Sequence, residues 1–108
     1  MTVQMIRAAL SCVLACAISA AHADVQAGRA KARMCVVCHG EFGLGTLPNT
    51  PNLAGQPEIY LAEQLKAYRS GKRSDEVMSV IAKPLTDAEI TDLSACFASI
   101  AIEAKPPK

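Results

Sequence analysis

The hexapeptide CVVCHG, which runs from Cys35 to Gly40, decides how the rest of this 108-residue chain is interpreted. Its two cysteines are three positions apart, a spacing that puts both thiols on one face of a helix. An imidazole, that of His39, follows directly after the second thiol. Three chemistries use such a grouping: a redox-active dithiol, part of a zinc site, or covalent attachment of haem through C-x-x-C-H.

The first part of the chain predicts export. Arg7 precedes an apolar run, residues 8–21, which is shorter than the roughly 20 residues that a membrane-crossing helix needs. The run ends in Ala21-His22-Ala23, where small residues flank the cut that a signal peptidase makes. We therefore expect residues 1–23 to be a secretory signal peptide, cleaved after Ala23, and residues 24–108 to form one periplasmic domain.

Two alternatives to a cleaved signal stay open. The apolar run could be an uncleaved anchor, or Cys16 could be lipidated, because VLAC at residues 13–16 loosely resembles a lipoprotein cleavage box. Lipidation would tether the same domain to a membrane without altering its chemistry.

Charge and size limit what the domain can do. The chain has 11 Lys and Arg against 10 Asp and Glu, and Arg7 leaves with the signal. This balance gives no bulk electrostatic reason to expect a nucleic-acid partner. A domain this small, and without Trp, usually needs a disulfide, a metal or a cofactor to complete its centre.

Residues 24–108 predict helices joined by one long loop. The loop covers residues 40–55, where Gly and Pro recur. The predicted helices cover about residues 25–37, residues 57–70, a short segment at 77–82, and a last helix that begins after Thr86. Thr86 and Glu89 match a capping box, and Gly71 is suited to end the second helix. No segment alternates with the period of a strand, so the domain is predicted to be all-α.

Two of the three chemistries fit poorly. A redox CxxC belongs beside a strand–helix–strand unit, which this sequence lacks. A zinc site would have to combine Cys35, Cys38, His39 and Cys96. Cys38 and His39 are adjacent, and neighbouring side chains on a helix diverge by about 100°. One metal ion would hardly accept both in a relaxed tetrahedron.

Haem attachment uses every residue of the motif. Cys35 and Cys38 can each form a thioether with a vinyl group on one edge of a porphyrin, and His39 can bind the iron. Predicted export agrees, since such attachment occurs on the exported side of the membrane. We predict one haem c, covalently bound through Cys35 and Cys38, with His39 as an axial ligand.

The second axial ligand follows by elimination. His22 leaves with the signal, so no second imidazole remains. The other methionines are lost with the signal or, like Met34, directly precede the anchoring cysteine on the proximal side. Met78 comes after a helix and a connector that can carry it to the far face of the haem. Met78 is therefore predicted as the distal ligand, and the competing interpretation is an ordinary core methionine.

Iron held by two protein ligands has no open position for oxygen or peroxide. This predicts a one-electron carrier without a small-molecule substrate rather than an enzyme. Two alternatives remain: a haem-bearing subunit permanently bound to a dehydrogenase or oxidase complex, and a gas- or peroxide-reactive haem protein with a labile distal bond.

These residues resemble the class I c-type cytochromes, specifically small bacterial periplasmic monohaem ones and single halves of the two-domain dihaem members. The resemblance covers residues 24–100. Besides CVVCHG it rests on PNLAGQ (51–56), YL (60–61), QL (64–65) with Tyr68, Gly71 with Arg73, Met78, and LTDAEI (85–90).

The resemblance implies a small cytochrome c fold, with three main helices and short helical turns around one covalent haem, and redox proteins as partners. It implies that the Pro51 carbonyl accepts the Nδ1–H of His39, a contact that fixes the imidazole tautomer. It also implies that Gly28 lies where the first and last helices cross. One residue departs from the family pattern: Cys96 stands where an aromatic residue is common.

Basic residues cluster near the end of the second helix. They favour either a solvated helix end that complements its own dipole or a charged rim that orients a redox partner. The cluster comprises Lys66, Arg69, Lys72 and Arg73.

Overall fold

A computed structural model describes residues 22–108, and within that range the chain is helical and contains no strand. The predicted all-α class is therefore confirmed. The predicted signal peptide lies almost entirely outside the described residues. The elements are α1 (Val25–Lys31), a 3₁₀ turn (Ala32–Met34), α2 (Val36–His39), α3 (Glu58–Ser70), α4 (Met78–Ala82) and α5 (Asp87–Ala98).

The first predicted helix is broken into three pieces. A continuous helix over residues 25–37 was expected from the Ala-rich composition, but α1 ends at Lys31 and a 3₁₀ turn precedes α2. The amide of Cys35 bonds the carbonyl of Ala32 at 2.8 Å, three residues back. Helix propensity does not distinguish this tighter turn from an α-helix. Gly40 then ends α2 with a φ of 81°.

Asp24 caps α1 and joins it to α5. Its Oδ1 accepts hydrogen bonds from the amides of Gln26 and Ala27 at 2.9 and 3.0 Å. Its own backbone N–H donates to Oδ1 of Asp92 at 2.8 Å. This cap satisfies amides that the first turn of a helix leaves free. The sequence placed the start of the helix correctly but did not identify the cap.

The crossing of α1 and α5 depends on the absence of a side chain at Gly28. A Cβ there would overlap the Asp92 carbonyl oxygen and lie 2.8 Å from Cβ of Cys96. The expected place of Gly28 at the crossing is confirmed. Cys96 is buried at the same crossing, where its small side chain leaves room for the close approach.

The two longer helices begin and end close to where the sequence predicts. α3 follows Pro57 and ends at Gly71, whose φ of 83° is left-handed. The capping box of α5 is confirmed: the Glu89 amide donates to Thr86 Oγ1 at 3.1 Å, and the Thr86 amide donates to Glu89 Oε2 at 3.0 Å. Glu89 also pairs with Lys31 of α1 at 2.8 Å.

α5 lies at the centre of the fold. It packs against α1 and α3, and α3 packs against α4. Ile90, Leu93 and Phe97 of α5 are buried, whereas Ile100, which follows the helix, is half-buried. The core cluster consists of Ala32, Leu61, Ala82, Leu85, Ile90, Leu93 and Phe97. Among the described helices, none has both the length and the apolar character needed to cross a membrane.

Candidate functional site

The CVVCHG motif forms a single turn. Cys35 caps the start of α2, and the His39 amide bonds the Cys35 carbonyl at 2.9 Å. Cys35 and Cys38 are free thiols with half-buried side chains, and His39 is buried, with 6 % of its surface exposed. The structure therefore brings both thiols and the imidazole together, as the spacing predicts.

The orientation of His39 is fixed by Pro51. Nδ1 of the imidazole lies 2.8 Å from the Pro51 carbonyl oxygen. A carbonyl oxygen can only accept, so Nδ1 must be the donor, and the proton of the neutral ring resides there. Nε2 then carries the free lone pair, and it makes no hydrogen bond within residues 22–108. An imidazole held in this way is prepared to bind a metal through Nε2.

The loop that presents Pro51 is held by backbone and amide groups. The Gly43 carbonyl accepts the amides of Leu53 and Ala54 at 2.7 and 3.0 Å. Oδ1 of Asn52 accepts the amide of Gly45 at 2.7 Å. These bonds join the part of the loop before Pro51 to the residues that directly follow Pro51. The sequence predicts an irregular loop here, but it does not reveal that Asn52 and Gly43 shape it.

Burial keeps the first cysteine protonated. Desolvation, with a smaller effect of nearby Cys96, raises the pKa of Cys35 to about 11. At neutral pH the side chain is therefore a thiol, not the thiolate that metals bind. In the described part of the chain, no three His, Cys, Asp or Glu side chains are grouped so that they could hold a metal ion. The four-residue zinc arrangement is not assembled there.

Met78 is the first residue of α4 and is half-buried. Its backbone amide donates to Oδ1 of Asp75 at 2.8 Å, and the amide of Val77 donates to the same oxygen at 2.9 Å. The bond from the Met78 amide, and to a smaller extent that from the Val77 amide, holds the pKa of the Asp75 carboxyl below its ordinary value. α4 packs against α3, whereas His39 is the last residue of α2.

The donor set fits a covalent haem better than a simple metal ion. Two thiols at C-x-x-C spacing suit thioether formation, and an imidazole whose Nε2 makes no hydrogen bond with other described residues suits iron binding. Met78 offers a thioether on a separate element, α4. Cys35, Cys38, His39 and Met78 are the residues that would hold the group, and Pro51 would orient the imidazole.

Comparison with known proteins also points to haem proteins of the cytochrome c type. The family model described as cytochrome c matches residues 25–98. The chain is 41 % identical over 88 residues to the thiosulfate dehydrogenase electron acceptor of Thiomonas intermedia (strain K12), covering 81 % of this chain and 41 % of that protein. It is 42 % identical over 79 residues to cytochrome c-554(548) of Halomonas halodenitrificans, covering 70 % of this chain and 95 % of that protein.

A solved structure resembles the fold as well. Reduced recombinant cytochrome c4 from Pseudomonas stutzeri superposes with a TM-score of 0.69 at 35 % identity, covering 74 % of this chain and 47 % of that chain. The chain thus spans less than half the length of this cytochrome c4 and of the Thiomonas relative.

Replacing Asn52 by alanine is expected to loosen the loop around Pro51. The Gly45 amide loses its acceptor, and a neutral hydrogen bond is worth about 1 kcal/mol, so its hydrogen exchange should accelerate about fivefold. NMR-detected exchange on the reduced holoprotein measures this rate. Asn49→Ala is the control, since Asn49 is exposed in the same loop. Equal exchange rates in Asn52→Ala and wild type would contradict the prediction.

Proposed function

The chain belongs to the cytochrome c family, and we propose that it is an exported one-electron carrier holding one covalent haem c between His39 and Met78. The hydrogen bond from His39 Nδ1 to the Pro51 carbonyl is the observation that carries the proposal. With Nδ1 donating to a carbonyl, Nε2 is the ring nitrogen left to bind iron, and the ring is held in one orientation, as an iron ligand requires. The carrier would have redox proteins as partners, and neither a small-molecule substrate nor a reaction of its own.

Cys35 and Cys38 make the covalent attachment. Each thiol would supply one S–H for addition across a vinyl group, so that a carbon–sulfur and a carbon–hydrogen bond would form with no net oxidation or reduction. Because both cysteines lie on one turn of the chain, the group is anchored along a single edge.

His39 and Met78 set the redox behaviour. The haem, when bound, supplies an iron that changes its charge by one electron. The Pro51 carbonyl draws on the Nδ1–H and makes His39 a stronger donor. The Met78 thioether favours the ferrous state and raises the potential relative to a second imidazole. With both axial positions taken by the chain, electron transfer needs little rearrangement.

Export is part of the proposal. Cleavage after Ala23 would leave Asp24 as the first residue, with its nitrogen as an ammonium group. That nitrogen already lies 2.8 Å from Oδ1 of Asp92. The new positive charge would therefore meet a carboxylate, and processing at this bond would strengthen a contact between α1 and α5 rather than break one.

The basic cluster contributes less to partner binding than its composition suggests. Arg69 donates to the Leu85 carbonyl at 2.8 Å and pairs with Asp87. Arg73 donates to Oε1 of Gln64 at 2.6 Å. We assign the partner-orienting role to the exposed side chains of Lys66 and Lys72, which form no ion pair with other described residues.

The covalent link predicts how cysteine variants behave. Acidified acetone should leave the haem on wild-type protein, whose intact mass should correspond to a chain from Asp24 plus one haem. Cys35→Ala and Cys38→Ala should each keep the haem through one thioether. In both, the reduced absorption band should move to longer wavelength, because one vinyl group stays conjugated.

Cys96→Ala is the matched control for these variants. Cys96 is a buried thiol outside the motif, and its removal should change neither haem retention nor the band position. Haem extracted from the wild type by acidified acetone would refute the covalent link. A loss of haem from Cys96→Ala would show that the wrong thiols have been assigned.

Met78→Ala tests the distal ligand. Loss of the thioether should abolish the weak long-wavelength band of ferric iron bound to sulfur and should lower the reduction potential. Absorption spectroscopy and potentiometric titration measure the two effects. Met34→Ala is the control, since Met34 precedes the anchoring cysteine. If the Met78→Ala band and potential match those of the wild type, another sulfur group is the distal ligand and the assignment of Met78 is wrong. Absence of the band from the wild type itself would instead favour a gas- or peroxide-reactive protein with a labile distal bond.

A second candidate function is an electron-transfer subunit permanently bound to a dehydrogenase. The observation that favours it is the 41 % identity, over 81 % of this chain, to a protein named thiosulfate dehydrogenase electron acceptor. Size-exclusion chromatography of the protein from its native cells separates the two functions. A free carrier should elute at the size of the single chain, whereas a bound subunit should co-elute with larger polypeptides at every ionic strength that preserves them.

A further inference from the structure

The connector between α3 and α4 has almost no buried surface. Residues 71–77 are all exposed, and Met78 is only half-buried. α4 itself has five residues, from Met78 to Ala82, too few to be stable as an isolated helix. Apolar packing fixes the far end of α4, where Ala82 and Leu85 are buried. Something else must fix the end that carries Met78.

Asp75 fixes that end from the α4 side. Its Oδ1 accepts the amides of Val77 at 2.9 Å and Met78 at 2.8 Å. Its own amide donates to Oγ of Ser79 at 3.0 Å, and the Ser79 amide donates to its carbonyl at 3.2 Å. Asp75 therefore binds the residues before, at and after Met78, and the start of α4 cannot turn without breaking several of these bonds.

Arg73 fixes the connector from the α3 side. Its guanidinium donates to Oε1 of Gln64 at 2.6 Å and lies 4.7 Å from the centre of the Tyr68 ring. Its amide donates to the Ala67 carbonyl at 3.1 Å. Gln64 and Tyr68 are four residues apart on α3 and so lie on the same face of the helix. The planar guanidinium is suited to a hydrogen bond and a ring contact at once.

We propose that Arg73 and Asp75 are positioning residues for the distal ligand: Arg73 ties the connector to α3, Asp75 ties it to the start of α4, and together they hold the Met78 thioether on the iron. The proposal rests on the proposed function, in which Met78 is that ligand. It changes the interpretation of Arg73, which the sequence associates with a partner-facing charged cluster. One connector residue, Ser74, separates the two anchors, so a displacement at Arg73 is transmitted to the start of α4.

The test measures how readily an external ligand replaces Met78. Imidazole is titrated into the ferric holoprotein, and its Kd and the loss of the sulfur–iron band are recorded. Asp75→Ala should bind imidazole about tenfold more tightly, a change within the range expected for a lost helix cap. Asp75→Asn keeps an acceptor oxygen and should lie between Asp75→Ala and the wild type.

Glu76→Ala is the matched control for Asp75. Glu76 is the next residue, is exposed, and loses the same charge, but it makes no hydrogen bond or ion pair with other described residues. Its Kd for imidazole should equal that of the wild type. If Glu76→Ala and Asp75→Ala shift the Kd equally, the effect is one of charge, and the positioning role of Asp75 is overturned.

Arg73→Lys keeps the charge and loses the planar fork, so it separates positioning from partner binding. The positioning role predicts a tighter Kd for imidazole, of about threefold to tenfold, measured on the isolated protein where no partner is present. Lys72→Gln is the control, because it removes a charge from the exposed neighbouring residue and should leave the Kd unchanged. If Arg73→Lys binds imidazole with the Kd of the wild type, the positioning role of Arg73 is overturned.

Met78→Ala in the same titration separates this proposal from the function on which it rests. If Met78→Ala binds imidazole far more tightly than wild type while the Asp75 and Arg73 variants do not, Met78 is the ligand and the positioning proposal fails. If Met78→Ala also behaves as wild type, the ligand assignment itself fails. Should Asp75→Ala not accumulate as holoprotein, Asp75→Asn and Arg73→Lys decide the question by the same criterion.

Discussion

The hydrogen bond between His39 Nδ1 and the Pro51 carbonyl is the contact on which the rest of the site depends. It joins the CVVCHG turn to a loop that must leave that turn and return to it within a dozen residues. The loop returns because the Gly43 carbonyl accepts hydrogen bonds from the amides of Leu53 and Ala54, which lie near the end of the loop. The Gly55 amide then bonds the Phe97 carbonyl at 3.0 Å. The orientation of one imidazole is thereby tied to the central helix.

The two sides of the proposed haem site are built by different physical means. On the His39 side the chain is held by backbone bonds and by the buried core, which includes Phe97. On the Met78 side the connector is exposed, and polar contacts of Arg73 and Asp75 replace burial. Exposed polar contacts are individually weak. An asymmetry follows: the His39 imidazole is fixed by the fold, whereas the segment that carries Met78, the proposed sulfur ligand, is held by a few bonds that water can replace.

Sequence reasoning succeeded where neighbouring residues determine the structure. The capping box of Thr86 and Glu89 and the stop at Gly71 are local, and both are present. It failed where the partner is distant in sequence. Nothing in the composition pairs Arg73 with Gln64 and Tyr68, or Asn52 with the Gly45 amide, because such contacts exist only after packing has brought the segments together. The 3₁₀ turn before α2 was not predicted, because helix propensity does not distinguish a 3₁₀ turn from an α-helix.

Cys96 is buried where α1 crosses α5. Here the crossing relies on contact between backbones, because any side chain at Gly28 would overlap the Asp92 carbonyl. The Asp24–Asp92 hydrogen bond and the Lys31–Glu89 pair lie along the same two helices. These polar contacts supplement the close approach of the two backbones, and the crossing leaves a third thiol buried beside the first cysteine of the motif.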